Sequence, residues 1–136
     1  MAFITVVTGQ LYEQMVKAIR KVTERKGPFT LVMLIPSPSH DVVEWNAAFS
    51  AKWLDPLSLR EAIKAVFNEL RTALPESAFS KIQNILILRT TELFVRQVTA
   101  DLEGPVTPGT VCRVQSFAFP RFGIDEAVVF VANPPS

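Results

Sequence analysis

The segment from Phe29 to Ile35 constrains the fold most, because it is an apolar run without polar alternation. A strand with one face in water would alternate apolar and polar residues, so this run is typical of a strand buried on both faces of a sheet. The proline- and serine-containing stretch from Pro36 to Ser39 ends it. We therefore expect a sheet with helices packed against it.

Two segments carry the apolar stripe of an amphipathic helix. The first runs from Gln10 to Lys26 and is stopped by Gly27-Pro28. The second starts at Asp55-Pro56, a cap candidate followed by a proline suited to the first turn, and ends before Pro75. The apolar positions of the two stripes are Leu11, Met15, Ala18, Ile19 and Val22, then Leu59, Ile63, Val66, Phe67, Leu70 and Leu74.

A third helix is predicted over the stretch from Asp41 to Trp53. There Val42, Trp45, Phe49 and Trp53 lie about one helical turn apart. We expect this aromatic stripe to pack on the sheet, with an interface to a partner as the alternative for Trp45, Phe49 and Trp53.

Further strands are predicted wherever short runs are apolar or β-branched. The segment from Thr91 to Glu103 fits either a helix or a strand, and we favour the helix. The predicted strands beside the one at Phe29 to Ile35 are Phe3–Thr8, Ile85–Leu88, Thr110–Phe119 and Ala127–Ala132.

This order of elements predicts one domain over residues 1–136, of the α+β (mixed α/β) class. We expect a single sheet of about five strands with helices packed on it. Strands separated by helices favour parallel pairing, so the N-terminal part should form βαβ-type crossovers with the first three strands parallel. The last two strands should form an antiparallel hairpin.

The charge balance disfavours whole classes of partner. Lys and Arg number 14 against 13 Asp and Glu, so the surface has no general attraction for nucleic acid or anionic lipid. No apolar run approaches the ~20 residues that span a bilayer, so we expect no membrane partner. Cys112 is the single cysteine, and Met1 to Gly9 lack the basic segment of a signal peptide, so we expect a cytoplasmic protein.

The loops after the first three strands are the best place for a ligand, because the carboxyl ends of parallel strands share one edge of a sheet. The residues in these loops are Thr8, then Ser37, Ser39, His40 and Asp41, then Thr90, Thr91 and Glu92. Here His40 would act as a general base oriented by Asp41, and Thr8, Ser37, Ser39, Thr91 and Glu92 would bind the ligand. Helix capping explains the same residue types without any ligand.

Other chemistry has little support in the sequence. One histidine and one cysteine cannot complete a typical zinc site, so we expect no metal. Neither the P-loop nor the dinucleotide-binding glycine pattern occurs, so we expect no cofactor. Cys112 lies in a strand pattern and is expected to be a buried core residue.

These observations favour a non-catalytic interaction or ligand-binding domain over an enzyme. An apolar fraction of 49% and an exposed edge of the C-terminal hairpin suggest a homodimer. The alternative is a small enzyme or small-molecule receptor using the strand-end loops. A second alternative is a nucleic-acid-binding accessory protein that uses the basic segment from Arg20 to Lys26.

Overall fold

The structure is a computed structural model that describes residues 2–36, 44–102 and 109–133. Its described part contains four α-helices and six strands in one open, mixed sheet, which confirms the α+β class. A short 3-10 turn, Pro120–Phe122, precedes the last strand. The elements are β1 (Ala2–Val6), α1 (Gln10–Lys26), β2 (Leu31–Pro36), β3 (Trp45–Ser50), α2 (Leu59–Ala73), α3 (Glu76–Phe79), β4 (Ile82–Ile87), α4 (Leu93–Leu102), β5 (Cys112–Ser116) and β6 (Ala127–Ala132).

Helix α1 has the bounds that its apolar stripe predicts. Met15, Ala18, Ile19 and Val22 are buried along one side of it. Gly27 ends the helix with φ at 124°, and its N–H donates to the Thr23 carbonyl. A Cβ at this position would lie 3.2 Å from Cδ1 of Trp53, so the turn needs both the conformation and the small size of glycine.

Helix α2 begins later than its sequence pattern suggests. The cap is Ser58, whose hydroxyl accepts a hydrogen bond from the Glu61 N–H at 3.2 Å and donates one to the Glu61 carboxylate at 2.9 Å. The bond from the Glu61 N–H is the N-terminal half of a capping box, and the second bond joins the two side chains. The predicted helix start at Asp55-Pro56 is therefore wrong. Asp55 lies before the helix and accepts hydrogen bonds from Thr90, in the loop that follows β4.

The predicted helix from Asp41 to Trp53 is wrong where the structure describes it, because Trp45–Ser50 is strand β3. Residues i and i+4 share a face in a helix and in a strand alike, so Trp45 and Phe49 fit both patterns. Ala47 between them decides the outcome, since Trp45, Ala47 and Phe49 face the same core cluster as alternate residues of a strand. Ala48, on the other face, is equally buried, which removes the polar alternation that marks a half-exposed strand.

The strand order is β1-β5-β6-β2-β3-β4. All neighbours are antiparallel except β3 and β4, which are parallel and joined through α2 and α3. The prediction that the first three strands are parallel is wrong: β2 pairs with β3 and β6, and its direction is opposite to that of β1 and β4. The crossover connection is formed by β3, α2 and β4 instead of the N-terminal elements.

The C-terminal antiparallel hairpin is confirmed as β5 and β6. Both of its strands lie inside the sheet, since β5 also pairs with β1 and β6 also pairs with β2. The expectation that this hairpin offers an exposed edge is therefore wrong. The free edges of the described sheet belong to β1 and β4.

Helices cover both faces of the sheet. On one face, α1 and α2 pack over Val32, Leu34 and Phe49 in the larger core cluster. On the other, α4 packs over Leu31 and Met33 in the smaller one. The segment from Phe29 to Ile35 therefore supplies side chains to both cores, as a strand buried on both faces should.

Segment Thr91 to Glu103 is resolved in favour of the helix, as α4 covers Leu93–Leu102. Its Asp101 carboxylate accepts a hydrogen bond from the Ser116 hydroxyl at 2.7 Å, which ties the end of α4 to the end of β5.

Among the described helices, none combines the length and the apolar character needed to cross a bilayer.

Candidate functional site

A cavity of about 360 Å³ opens between the second half of α1 and the end of β6. Apolar side chains form most of its wall, and polar side chains lie among them. The apolar lining comes from Val16, Ile19, Pro28, Phe29, Gly109, Phe130, Val131 and Ala132, and the polar lining from Arg20, Thr23, Glu24 and Asn133. We call this space the α1–β6 cavity.

An irregularity in the sheet shapes one wall of this cavity. In the pairing of β2 with β6, Val32 faces Val131 but Met33 faces Val129, so Phe130 is the extra residue of a bulge. In a regular strand, Phe130 and Val131 would point to opposite faces. Both instead pack against the α1 side of the sheet and line the cavity. A bulge that redirects a side chain in this way is common near binding sites.

The polar lining is concentrated on α1 and at the end of β6. Arg20, Thr23 and Glu24 lie within about one turn of α1, and Arg20 and Glu24 are exposed. Across the cavity, the backbone N–H of Asn133 donates to the Thr30 carbonyl at 2.8 Å, which fixes the chain after β6. A ligand would therefore meet an apolar wall on the inside, with a cation, a carboxylate, a hydroxyl and an amide beside it.

The described lining of this cavity contains polar groups of the kind that bind ligands. Among the described residues, the lining holds no histidine or cysteine and one carboxylate, Glu24. Nowhere in the described ranges do three or more His, Cys, Asp or Glu side chains come together in a way that could hold a metal ion. Acid-base or nucleophilic catalysis needs a second group positioned against the first, which this lining does not offer.

The strand-end loops expected from the sequence do not converge. The carboxyl ends of β1 and β4 lie at the same end of the sheet but on its opposite edges, about 24 Å apart for five strand spacings. The carboxyl end of β2 lies at the other end of the sheet, where Pro36 pairs with Trp45. Thr8 is thus far from Thr91 and Glu92. Ser37, Ser39, His40 and Asp41 lie outside the described residues, and their roles stay predictions.

One of these loops does form a polar cluster, with a partner that the sequence pattern did not indicate. Asp55, which follows β3, accepts hydrogen bonds from the Thr90 N–H at 3.1 Å and from the Thr90 hydroxyl. Arg89 Nη1 donates to the carbonyls of Asp55 at 2.6 Å and Leu54 at 3.2 Å. Glu92 accepts from the Arg89 N–H. We call these four residues, Asp55, Arg89, Thr90 and Glu92, the strand-end cluster.

The strand-end cluster is built to hold two loops together. Its donors and acceptors bond to one another, and Thr90 is only 5% exposed. The carboxyl ends of parallel strands are common ligand sites, and β3 and β4 do form a parallel pair. Here, however, the polar groups are used within the chain. Thr91 is exposed beside the cluster.

Of the three aromatic residues considered as an interface, two lie in the core and the third packs against it. Trp45 and Phe49 are buried, and Trp53 is half-buried. Ring contacts join Trp45 to Tyr12 at 6.4 Å, and Phe29 to Phe49 at 5.7 Å and to Trp53 at 5.6 Å. Trp45 and Phe49 thus have no surface to offer a partner in the folded chain.

A carboxylate is enclosed between α1 and α2. Glu69 is 9% exposed, and it lines a small gap with Ile19, Val22 and Phe29. Its Oε2 lies 3.1 Å from Nη1 of Arg25, close enough for an ion pair but without hydrogen-bond alignment. The ion pair links the two helices that cover this face of the sheet, and it uses one residue of the basic segment from Arg20 to Lys26.

Cys112 is buried in the smaller core, where it pairs with Val6 of β1 and Val129 of β6. Burial raises the pKa of its thiol above the ordinary value, because the thiolate would lose its hydration. A thiol that stays protonated is a poor nucleophile. The residue has the properties of a core side chain.

No family model, curated protein or solved structure matches this chain.

Proposed function

We propose that this chain is a non-catalytic binding domain that takes up a small, mainly apolar molecule in the α1–β6 cavity. The observation that carries the proposal is the cavity itself. Its volume of about 360 Å³ falls within the range of small-molecule sites, which are mostly apolar with a few placed polar groups. The bulge that turns both Phe130 and Val131 toward it supports a shaped site.

The lining also suggests the class of ligand. The rings of Phe29 and Phe130 and the aliphatic Ile19 and Val131 suit an aromatic or short aliphatic body. Arg20 and Glu24 both lie beside this apolar surface, and the Arg20 side would favour an anionic or hydrogen-bond-accepting end of a ligand held away from the Glu24 carboxylate. A small amphipathic molecule with an apolar ring and one polar end meets both conditions.

Titration with N-phenyl-1-naphthylamine, a neutral apolar dye, tests the proposal. We expect saturable binding of one dye per chain, with a dissociation constant in the micromolar range. Thr23→Phe should weaken binding at least about tenfold, because the larger side chain fills the space between α1 and β6. Lys21→Phe is the matched control: its position is exposed on the same helix and does not line the cavity.

Two outcomes would overturn the proposal. One is the absence of saturable binding by the wild-type chain. The other is equal binding by the wild type and Thr23→Phe, which would place the dye elsewhere. An Arg20→Ala variant with an anionic analogue, 1-anilinonaphthalene-8-sulfonate, then tests the ligand class separately: we expect weaker binding of the anionic dye and unchanged binding of the neutral one.

We also propose that the chain acts as a homodimer in the reducing environment of the cytoplasm. The single cysteine, buried as Cys112, supports a fold that needs no disulfide. The free strand edges of the sheet, rather than the aromatic residues or the C-terminal hairpin, support self-association.

A further inference from the structure

Strand β1 forms one edge of the sheet, and the direction of its backbone groups follows from the register. It pairs with β5 without irregularity, from Ala2 opposite Ser116 to Val6 opposite Cys112. Just beyond, the Val7 N–H donates to the Val111 carbonyl at 2.9 Å. Hydrogen-bonded pairs alternate in an antiparallel ladder, so Thr5 bonds to β5 as Val7 does. Ile4 and Val6 therefore direct their N–H and C=O groups away from the sheet.

This outer edge carries none of the usual protection against strand pairing. No strand of the described ranges pairs with it. The strand, Ala2–Val6, contains no charged residue and no proline. The side chain of Val6 is 65% exposed. Edge strands that stay unpaired commonly carry charges, prolines or bulges.

The opposite edge of the sheet differs in these respects. The pairing of β4 with β3 shifts between Trp45 and Asn46, which leaves Gln83 without a partner in the register. An exposed lysine, Lys81, directly precedes this strand. A bulge and a charge at an edge both disfavour pairing with another strand. The regular, uncharged β1 is thus the better template.

We propose that β1 pairs antiparallel with β1 of a second copy of this chain, about a two-fold axis at Ile4. The outward N–H and C=O groups of Ile4 then meet those of Ile4 in the second copy, and Val6 lies opposite Ala2. This proposal rests on the homodimer proposed above and names its interface.

Self-complementarity favours a second copy as the partner, and charge does not oppose it. In a two-fold antiparallel pair, each outward donor meets the matching acceptor of the same strand. The charged residue on the neighbouring strand β5 is Arg113. Its copies in the two chains are separated by three strand spacings, about 14 Å, which exceeds the Debye length of about 8 Å at physiological salt. Repulsion across the interface is therefore weak.

The expected dimer is weak, because one strand pair buries less than the ~1,200 Å² of a stable interface. Sedimentation over chain concentrations from about 1 μM to about 1 mM should show a dissociation constant of tens to hundreds of micromolar. Val6→Pro should abolish the dimer, since it removes an outward N–H without losing a bond to β5. Val6→Thr, which keeps the N–H, should still dimerise.

Leu86→Lys on the opposite edge strand is the second control, because Leu86 is also an exposed apolar residue. It should leave the dimer unchanged. A wild-type chain that stays monomeric would overturn both the homodimer and this interface, while dye binding in the α1–β6 cavity would still be tested by its own experiment. A dimer that survives Val6→Pro, or is lost in Leu86→Lys, would overturn the β1 interface alone.

Amide hydrogen exchange of the wild-type chain gives an answer that does not depend on the folding of any variant. We expect the amides of Ile4 and Val6 to become more protected as the concentration rises. The Thr5 amide, bonded to β5, should exchange at the same rate throughout. Equal concentration dependence at all three positions, or at none, would overturn the proposal.

Discussion

Replacing Asp55 by alanine should lower the free energy of unfolding, because two groups of Thr90, its N–H and its hydroxyl, would lose their hydrogen-bond acceptor. The carboxylate accepts from both the N–H and the hydroxyl of Thr90, whose residue is 5% exposed. A buried donor left without a partner costs about 1–3 kcal/mol. Asp55 itself is only half-buried, so water can reach part of the site. We expect the free energy of unfolding to fall by about 2–3 kcal/mol.

Urea denaturation followed by circular dichroism measures this loss. With a slope of about 1.5–2 kcal/mol per molar, the midpoint should fall by about 1–2 M. Asp55→Asn is the matched control: its amide oxygen can still accept from the Thr90 N–H, and its amide nitrogen can donate to the hydroxyl. It should cost about 1 kcal/mol. A loss below about 0.5 kcal/mol for Asp55→Ala would refute the reasoning, because the strand-end cluster would then not be holding the two loops together.

Three further perturbations test other parts of the structure. Because burial raises the pKa of Cys112, its reaction with a disulfide reagent at pH 8 should be on the order of 100-fold slower in the folded chain than in urea; comparable rates would contradict this. Glu69→Met should leave the free energy of unfolding unchanged within about 1 kcal/mol, whereas Arg25→Ala, whose side chain is 59% exposed, should lower it by about 1 kcal/mol. Gly27→Ala should lower it by about 1–2 kcal/mol, since alanine would strain the positive φ and press on Trp53; a neutral result in urea denaturation would refute that reading.

The raised pKa of the Cys112 thiol also predicts that the stability of the fold depends on pH. The unfolded thiol ionises near its ordinary value of 9.0, and the folded thiol ionises above it. Below pH 9 the thiol is protonated in both the folded and the unfolded state, so the contribution of Cys112 to the free energy of unfolding is fully present. As the pH rises past that value, the unfolded state gains thiolate and the contribution of Cys112 to stability is lost.

Helices with one buried stripe could be predicted from the sequence because their spacing matches a single periodicity. Helix α1 has the expected bounds, and four of its five expected stripe residues are buried, while Leu11 is half-buried. Strand β3 could not be predicted, because Trp45 and Phe49 fit both periods and both faces of the strand are buried. Segment Thr91 to Glu103 was ambiguous for a similar reason, and packing of Val95 and Val98 on the sheet resolves it as a helix.

The candidate site could not be predicted from the sequence for a different reason. The α1–β6 cavity depends on the bulge at Phe130, and no single residue type specifies a bulge within an apolar strand. The partner of Thr90 could not be predicted either. Asp55 lies 35 positions away, and the pairing exists because β3 and β4 are parallel neighbours.

The position of β6 has a consequence for the order in which the fold can form. It is the last described strand along the chain, yet it lies in the interior of the sheet, between β5 and β2. Strands β2, β3 and β4 can pair as soon as they are synthesised, while β1 must wait for β5, more than a hundred positions later. Contacts of such sequence separation slow folding. The two parts of the described sheet join only through β6, so β2 has β3 as its single neighbour until β6 has been synthesised.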